Sequence, residues 1–314
     1  VGMIPTYVGS AAMGGLVVNA ELETVTDAGA VLVVDGVHGF GQAMAFDAMA
    51  VGIERAREYG LALVGLRNSH HVGRIGHWAE QCAAAGLISI HFVNVGGSLM
   101  VAPFGGSDAR FSTNPFCVAF PRVGEPTILL DFATSAIAYG KARVAHNKGV
   151  EAPEGSLIDH EGRPTNDPSV LFDEPHGALR AMGLHKGGGL AIMCELLGGA
   201  LTGGLTTREE TAHDATSIYN SMTSILIDPN ALGSLDSGAA DAFLEWVKAS
   251  PAPAGAEHGP LLPGEVERAT RATRTRDGLP VDETTWRGIA DAARAAGVPD
   301  DDTTLAAWNA CAAA

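Results

Sequence analysis

The chain has 314 residues, of which 46% are hydrophobic and 18% charged, so it carries enough apolar material for a core divided between two or three lobes. Its 36 acidic and 20 basic side chains give a formal charge of -16, which argues against nucleic acid and anionic membrane surfaces as partners. The four cysteines form no CxxC pair, and we find no bilayer-spanning apolar run and no basic-then-apolar leader. We therefore expect reduced thiols and a cytoplasmic protein.

Short apolar runs rich in β-branched residues alternate with helical patterns along the first two thirds of the chain, which is typical of an α/β protein. Strands are predicted at residues 30–34, 61–66, 87–93, 127–130 and 224–227. Helices are predicted at residues 41–59, 77–85 and 186–201 and, after a Pro-, Ala- and Gly-rich connector at residues 250–263, at residues 265–276, 284–296 and 303–314. The last three helices are predicted to form an appendage that packs on the α/β part.

A glycine-rich turn between the first predicted strand and the first predicted helix resembles the phosphate-binding turn of the Rossmann fold. It reads DGVHGFG at residues 35–41, but Met44 stands where the pattern G-x-G-x-x-G requires glycine or alanine. No acidic residue closes the next strand near Leu66. The pattern therefore favours a tight turn into a helix over a Rossmann dinucleotide site.

The densest polar cluster, NSHHVGRIGH at residues 68–77, follows a predicted strand and opens a predicted helix. Functional side chains gather at such strand ends. The adjacent His70 and His71 point in different directions, and His77 is six positions after His71, so shared metal ligation is disfavoured. A functional histidine and a buried histidine satisfied by hydrogen bonds both remain open at these positions.

Three further segments combine turn residues with polar groups. VAPFGG at residues 101–106 and TNPF at residues 113–116 are predicted loops. LLDFATS at residues 129–135 ends a strand, where Asp131 and Ser135 either bind ribose or pyrophosphate or cap the next helix. HKGGG at residues 185–189 places a lysine and free backbone N–H groups at a helix start, which is either an anion site or a solvated lysine on a flexible turn.

In this order, the segments NSHHVGRIGHWAEQCAAAG, APFGG, TNPF, LLDFATSAIAYGK, HKGG and LLPGE are together similar to the malate, lactate and ureidoglycolate dehydrogenase family. The likeness covers nearly the whole chain and is strongest to the bacterial hydroxycarboxylate dehydrogenase B type. The resemblance implies a mixed α/β sheet unlike that of the Rossmann fold, a helical lobe built from both chain ends, NAD or NADP as cofactor, and a homodimer. We accordingly divide the chain into a catalytic part at residues 1–120, a cofactor-binding part at residues 121–235, and a helical part at residues 236–314 that packs back on the first.

The resemblance also implies which residues form the site. His71 takes the position of the family's histidine, with His70 as its neighbour. The residues expected to line the dinucleotide site are Gly73, Arg74, Ile75, Asp131, Thr134, Ser135, His185, Lys186, Asn220, Gly264 and Glu265, and no metal is expected.

Two features depart from the family pattern. In the family, Ser-His-Gly precedes the segment that matches Val1, and its histidine is commonly assigned as the acid/base, so we expect the natural polypeptide to carry these upstream residues. Many relatives also have an arginine where Met3 stands, which would be a natural partner for a substrate carboxylate. With Met3 at that position, Arg74 is our candidate for the role.

The resemblance predicts NAD(P)H-dependent reduction of a small 2-oxo acid to the 2-hydroxy acid, or the reverse oxidation, with His71 managing the proton. A histidine suits this task because its unperturbed pKa is about 6.5. Three rival substrates, a cyclic imine, ureidoglycolate and sulfolactate, are compatible with the same fold. Two competing hypotheses abandon this reaction: a dinucleotide-binding form without turnover, and a histidine-metal hydrolase.

Overall fold

A seven-stranded mixed sheet runs through the computed structural model, which describes residues 2–211, 217–233 and 237–299. The strands are β1 (Glu23–Ala28), β2 (Val31–Asp35), β3 (Leu61–His70), β4 (Ile88–Gly96), β5 (Phe116–Arg122), β6 (Glu125–Phe132), β7 (Leu157–Ile158), β8 (Pro164–Thr165), β9 (Ala178–Leu179) and β10 (Tyr219–Ile227). The order across the main sheet is β1-β2-β3-β10-β4-β5-β6, in which β2 and β3 run parallel and the other neighbours run antiparallel. The predicted mixed α/β fold is confirmed, and the antiparallel pairs set it apart from the mostly parallel Rossmann sheet.

Helices cover both faces of the main sheet. They are α1 (Ile4–Ala12), α2 (Gly41–Tyr59), α3 (Ile75–Ala84), α4 (Tyr139–Lys148), α5 (His185–Cys194), α6 (Ser237–Lys248), α7 (Glu265–Asp277) and α8 (Glu283–Ala295). Leu66 of β3 lies in the core formed with α2 and α3, whereas its neighbour Gly65 faces Thr202 on the other side. Because both faces are covered, β10 is buried along almost its whole length, and β3 is buried at most of its positions.

The second face is covered by α5 and by a π-helix at Glu195–Ala200 that continues it. A Cβ on Gly198 would lie 2.8 Å from the Asn94 backbone nitrogen and 2.9 Å from the Phe92 carbonyl oxygen. Glycine at this position therefore lets the π-helix backbone contact β4 directly. The predicted helix at residues 186–201 is correct in extent, but its last turns are π-helical.

A small three-stranded sheet of order β8-β7-β9 flanks the main one. Single bridges join it to neighbouring loops, one between Val101 and Leu179 and one between Ser135 and Ala181. A second apolar core that includes Phe111, Leu157 and Leu179 lies beneath it. This arrangement brings the loops at residues 101–106 and 134–136 next to the start of α5.

The two ends of the chain pack together, as the predicted helical lobe requires, because α1 lies against α8. α7 adjoins the edge strand β6, where the Leu129 N–H donates to the Pro263 carbonyl over 3.2 Å. β10 lies between β3 and β4, so the main sheet draws strands from both sides of residue 120. The division into three parts stays a prediction, and the predicted helix at residues 303–314 lies outside the described residues.

Each of the five predicted strands overlaps a strand of the structure, and α2 has the predicted bounds. The sequence analysis missed α1, α4, α6, β1, β5 and the two-residue strands β7, β8 and β9. β1, for example, is exposed at every position and so shows no burial alternation. Of the two alternatives for Asp131 and Ser135, capping of the next helix is excluded, because α4 begins after Ala138 and the Ser135 hydroxyl donates to the Ile137 carbonyl over 2.8 Å. Asp131 instead accepts from the Gly76 N–H in the first turn of α3.

The described cysteines, Cys82, Cys117 and Cys194, are free and buried, whereas Cys311 lies outside the described residues. Burial raises the pKa of the Cys82 thiol to about 12, so this thiol is unreactive at neutral pH. Within the part of the chain that the structure describes, no helix is both long and apolar enough to cross a membrane.

Candidate active site

The candidate site forms where β3 ends and α2 begins. The turn at residues 35–41 packs against this end of β3, since the His38 N–H donates to the Asn68 carbonyl over 2.7 Å and the His70 N–H donates to the Gly39 carbonyl over 3.1 Å. A Cβ on Gly41 would lie 2.2 Å from the His70 carbonyl oxygen. The glycines that resemble a Rossmann motif therefore bring helix and strand together, in agreement with the tight turn favoured above.

The His71 side chain is the last of three that are joined by hydrogen bonds and come from α1, from α2 and from the residue after β3. The His71 Nδ1 lies 2.7 Å from the Tyr7 hydroxyl of α1, and the Gln42 Nε2 of α2 donates to that hydroxyl over 2.7 Å. The Tyr7 oxygen accepts from Gln42, and the bond between Tyr7 and His71 takes its proton from either the hydroxyl or the ring, according to the tautomer of His71. Burial lowers the pKa of His71, which favours the neutral ring.

His70 is fully buried and faces a different set of groups. Its Nε2 lies 3.0 Å from the Ser10 hydroxyl, and its Nδ1 is buried without a partner among the described residues. Burial, followed by the charges of His71 and His38, lowers the pKa of His70 to about 4. His70 is therefore a neutral, buried neighbour of His71 at physiological pH.

Asn220 supports the site from β10. Its Oδ1 accepts from the Val72 N–H over 2.9 Å, and its Nδ2 donates to the Asn94 carbonyl over 3.0 Å. The side chain is buried, and these bonds hold the residue that follows His71. The structure thus uses the predicted cofactor ligand Asn220 for backbone contacts.

Arg74 lies in a cluster of charges at the start of α3. Its guanidinium donates to both carboxylate oxygens of Glu80 over 3.1 Å, and its Nε lies 3.5 Å from an oxygen of Asp131. Asp131 also accepts from the Gly76 N–H over 2.9 Å, and Arg271 of α7 pairs with Glu80. Gly73, Arg74, Ile75 and Asp131 are therefore close together, as expected, but the Arg74 charge is already shared between two carboxylates.

Thr134 and Ser135 lie beside the start of α5. The Met182 N–H donates to the Thr134 carbonyl over 2.9 Å. Met182 is three residues before His185, so this bond holds the loop next to the start of α5. Both hydroxyls are buried and donate to backbone carbonyls, Thr134 to those of residues 113 and 114 and Ser135 to that of residue 137. The loop is therefore near the predicted phosphate site, while its hydroxyls are already bonded within the chain.

The backbone N–H groups at the start of α5 are not free, although the sequence analysis offered them as an anion site. The N–H groups of Lys186, Gly187 and Gly188 donate to the carbonyls of residues 183, 182 and 184. The prediction of free amides is therefore wrong for these three, because the chain turns sharply back into the helix at Leu184, which has a positive φ of 57°. The Lys186 side chain is exposed, and the His185 ring packs edge-on against Phe104 at 5.7 Å.

A cleft of about 440 Å³ adjoins this helix start. It is lined by the loop at residues 102–107, by part of the small sheet, and by Arg180, Ala181 and Leu184. Apolar groups such as Phe104 and polar groups such as Arg180 share its walls. Ligand sites commonly combine apolar walls with a few polar groups, as this cleft does.

Gly264 and Glu265 lie at the start of α7, next to β6. Gly264 has a φ of 90°, and a Cβ there would lie 2.7 Å from the Arg268 guanidinium. The Glu265 carboxylate pairs with Lys248 at 3.0 Å and accepts from the Leu262 N–H. Among the described residues, no hydrogen bond or ion pair joins these two residues to His71 or Lys186.

The sequence analysis missed Tyr7, Gln42 and Ser10. Tyr7 and Ser10 belong to α1, which was not predicted, and Gln42 is in the first turn of a helix that was interpreted as a covering helix. The available signal was a polar glutamine directly after the glycine turn. Within residues 2–211, 217–233 and 237–299, no three His, Cys, Asp or Glu side chains are grouped so that they would hold a metal ion.

Comparison with known proteins identifies the family. Residues 1–290 match the family model for malate/L-lactate dehydrogenase. The chain belongs to that family. It is 54% identical to hydroxycarboxylate dehydrogenase B of Escherichia coli strain K12 over 96% of this chain and 83% of the relative, and 41% identical to an L-lactate dehydrogenase of Cupriavidus necator over 91% and 82%. A solved E. coli structure assigned to the malate/lactate dehydrogenases superimposes with a TM-score of 0.94 at 51% identity, over 100% of this chain and 87% of that one.

The chain is therefore an NAD(P)-dependent hydroxy acid dehydrogenase, as the resemblance predicted. More distant relatives are named L-sulfolactate dehydrogenase and Delta(1)-pyrroline-2-carboxylate/Delta(1)-piperideine-2-carboxylate reductase.

Proposed function

We propose that this chain reduces a 2-oxo acid to the 2-hydroxy acid with NADH or NADPH, or catalyses the reverse oxidation, and that His71 is the acid/base. The observation that carries the proposal is the 2.7 Å contact between His71 Nδ1 and the Tyr7 hydroxyl. Among the residues that the structure describes, none bonds to His71 Nε2. That nitrogen is therefore available to a substrate oxygen.

The proton and the hydride have separate sources in this proposal. When bound, the nicotinamide supplies or accepts the hydride. His71 gives a proton to the oxygen of the reduced carbonyl, or takes the hydroxyl proton in the oxidation. General acid/base help of this kind contributes roughly 10² to 10⁴ in rate.

The start of α5 and the cleft beside it fit a dinucleotide. Lys186 supplies an exposed cation at the start of α5, where the helix dipole favours phosphate although the amides of residues 186–188 are bonded within the chain. Two residues before it, Leu184 lines the cleft together with Phe104 and Arg180, which suits a ligand that joins flat heterocycles to phosphates. In the proposal His185 and Lys186 hold the cofactor, and Thr134 and Ser135 form the supporting loop beside them.

The names of the relatives support a substrate with a carboxylate next to the reacting carbon. Lactate, sulfolactate and the cyclic imine acids all share that feature. In the proposal Arg74 binds this carboxylate, in competition with Glu80 and Asp131. We favour a 2-oxo acid because the relative at 54% identity is named a hydroxycarboxylate dehydrogenase.

We also propose that the enzyme is a cytoplasmic homodimer. Large apolar side chains remain exposed along α5 and the π-helix, among them Ile192, Met193 and Leu196. A second copy of the chain would cover such a face. Light scattering coupled to gel filtration tests this state, and a monomer at micromolar concentration would contradict it.

The test of His71 follows oxidation of NADH and NADPH with a panel of 2-oxo acids, including phenylpyruvate and 2-oxoglutarate. We expect His71→Asn to lower kcat by roughly 10² or more and to leave cofactor binding unchanged. His160→Asn is the matched control, because His160 is exposed in the turn between β7 and β8. Turnover by His71→Asn equal to that of the unmodified protein would refute the acid/base assignment.

A further inference from the structure

Arg180 differs from the other partly buried arginines of the described chain, because nothing balances its charge. The side chains of Arg55, Arg67 and Arg122 form ion pairs with aspartates, and that of Arg268 donates to a backbone carbonyl. Among the described residues, no carboxylate, carbonyl or hydroxyl bonds to the Arg180 guanidinium. In a chain with 36 acidic and 20 basic side chains, a partly buried arginine without a carboxylate partner needs a physical reason.

Arg180 lines the cleft of about 440 Å³ beside the start of α5. Its backbone is held by two hydrogen bonds, since its N–H donates to the Ser156 carbonyl over 2.8 Å and its carbonyl accepts from the Ala136 N–H over 2.7 Å. Among the described residues that line the cleft, Glu161 supplies the only carboxylate, and it pairs with Arg163. The charge of Arg180 is therefore left uncompensated, and partial burial of such a charge is costly until an anion binds it.

We infer that Arg180 binds the 2′-phosphate of NADPH and thereby makes the enzyme prefer NADPH to NADH. This inference rests on the proposed binding of the dinucleotide in the cleft. The two cofactors differ at one position of the adenosine ribose, which carries a hydroxyl in NADH and a phosphate in NADPH. In Rossmann sites a carboxylate binds that hydroxyl, or an arginine accommodates that phosphate. The same chemistry applies in another fold, and this cleft offers the arginine but no unpaired carboxylate.

The other anions of the reaction already have proposed partners. The pyrophosphate is assigned to Lys186, and the substrate carboxylate is assigned to Arg74. Arg180 directly follows β9, and it shares its part of the cleft wall with Ile158 of β7 and Pro164 of β8, whose apolar surfaces suit an adenine ring. A guanidinium binds phosphate through parallel N–H donors and also stacks on flat rings. Arg180 therefore suits a phosphate on the adenosine half of the cofactor.

The first test compares the binding of 2′,5′-ADP and 5′-AMP to the full chain by isothermal titration calorimetry. These probes differ only in the 2′-phosphate, and they need neither nicotinamide nor substrate. We expect 2′,5′-ADP to bind about tenfold or more tightly than 5′-AMP. Arg180→Gln should weaken 2′,5′-ADP binding by about ten- to a hundredfold and leave 5′-AMP binding unchanged, whereas Arg180→Lys should retain part of the preference. Equal affinities of the two probes for the unmodified protein would overturn the inference.

The second test titrates NADPH and NADH by nicotinamide fluorescence. Arg180→Gln should weaken NADPH binding by the same factor as 2′,5′-ADP binding and leave NADH binding unchanged. Arg274→Gln is the matched control, because it removes the same charge from an exposed position of α7 that does not line the cleft. Equal losses for NADPH and NADH in Arg180→Gln would assign Arg180 to the pyrophosphate. A higher KM for the 2-oxo acid alone would assign it to the substrate, and either result would refute the proposed preference.

Urea unfolding without ligand checks for a structural role. Because no described group bonds to the guanidinium, Arg180→Gln should not lower the free energy of unfolding. A lower free energy of unfolding together with equal weakening of both probes would make Arg180 a structural residue and overturn the inference.

The inference and the proposed function can fail separately. If NADH and NADPH bind equally well and both support reduction, the proposed function stands and the role of Arg180 fails. If 2′,5′-ADP binds through Arg180 but His71→Asn keeps full turnover, the role of Arg180 stands and the acid/base assignment fails.

Discussion

Three histidines, His70, His71 and His91, are buried or half-buried, and their surroundings decide which of them can exchange a proton. His71 contacts a tyrosine, His70 contacts a serine, and His91 lies between the hydroxyls of Ser224 and Ser89. Burial lowers the pKa of each, to about 3 for His91 and about 4 for His70. His70 and His91 are fully buried, whereas His71 is partly exposed, so His71 is the one suited to proton exchange.

At the residue scale, Lys186 should bind the cofactor through its charge. We expect Lys186→Ala to weaken NADH or NADPH binding about tenfold or more and to leave the free energy of unfolding unchanged, because the side chain is exposed. Lys148→Ala removes another exposed lysine, at the end of α4, and is the control. Nicotinamide fluorescence titration measures both, and equal affinities in the two variants would contradict the assignment.

The proposal that Arg74 binds the substrate carboxylate is tested in the same way, by removing the charge of its side chain. Loss of a charge-assisted hydrogen bond costs about 1.5–3 kcal/mol, so Arg74→Gln should raise KM about tenfold or more. Arg271→Gln is the control, since Arg271 shares Glu80 with Arg74 but belongs to α7. If KM is unchanged and only the Tm falls, Arg74 belongs to the ion-pair cluster and not to the substrate site.

At the element scale, the glycines of α5 have unequal roles although the sequence HKGGG makes them look alike. A Cβ on Gly187 would lie 2.1 Å from the Met182 carbonyl oxygen, because the chain folds back tightly at the helix start. A Cβ on Gly189 would meet nothing within 4 Å. Gly187 is therefore required by a close backbone approach, whereas Gly189 only adds flexibility to the helix.

The two substitutions should have opposite effects on stability. Gly187→Ala should lower the free energy of unfolding by about 1–3 kcal/mol, because backbone must move to admit the methyl group. Gly189→Ala should raise it by about 0.5–1 kcal/mol, because alanine loses less conformational entropy in a helix. Urea unfolding measures both, and equal effects would show that the start of α5 is not held by this contact.

At the scale of the whole molecule, the buried histidines predict acid sensitivity. An unfolded chain binds protons at histidines below a pKa of about 6.5, whereas the folded chain binds them at His70 and His91 only near pH 4 and pH 3. The unfolded state therefore binds more protons as pH falls from 6.5 towards 4. Stability should be complete above about pH 7 and decline below it, by up to about 1.4 kcal/mol per pH unit for each histidine.

Denaturant unfolding between pH 7.5 and pH 4.5 measures this slope. His91→Gln should be less stable at pH 7.5, because it loses packing, but its stability should depend less steeply on pH. Asp35, whose pKa is lowered through its bonds to Val37, Arg67 and Asn68 against the opposing effect of burial, contributes only at lower pH. An unchanged slope in His91→Gln would contradict the assignment of the acid sensitivity to buried histidine.

Much of the organisation was already contained in the sequence by itself. Local apolar periodicity located five strands and α2, and the spacing at residues 35–41 favoured a tight turn over a Rossmann site, because these signals depend on neighbours within a few positions. The segment at residues 68–77 correctly placed two histidines at a strand end. Several motifs in one order also predicted the family, which the comparisons confirmed.

The tertiary structure alone decided the partners of these residues. Tyr7 contacts His71, which is 64 positions away in the sequence. Asn220 contacts Val72, which is 148 positions away, because β10 inserts between β3 and β4. No local pattern specifies such pairs, since they depend on strand order and on the close approach at Gly41. For the same reason the sequence could show a lysine before three glycines, but only the fold shows that the amides of that turn are already bonded to the backbone.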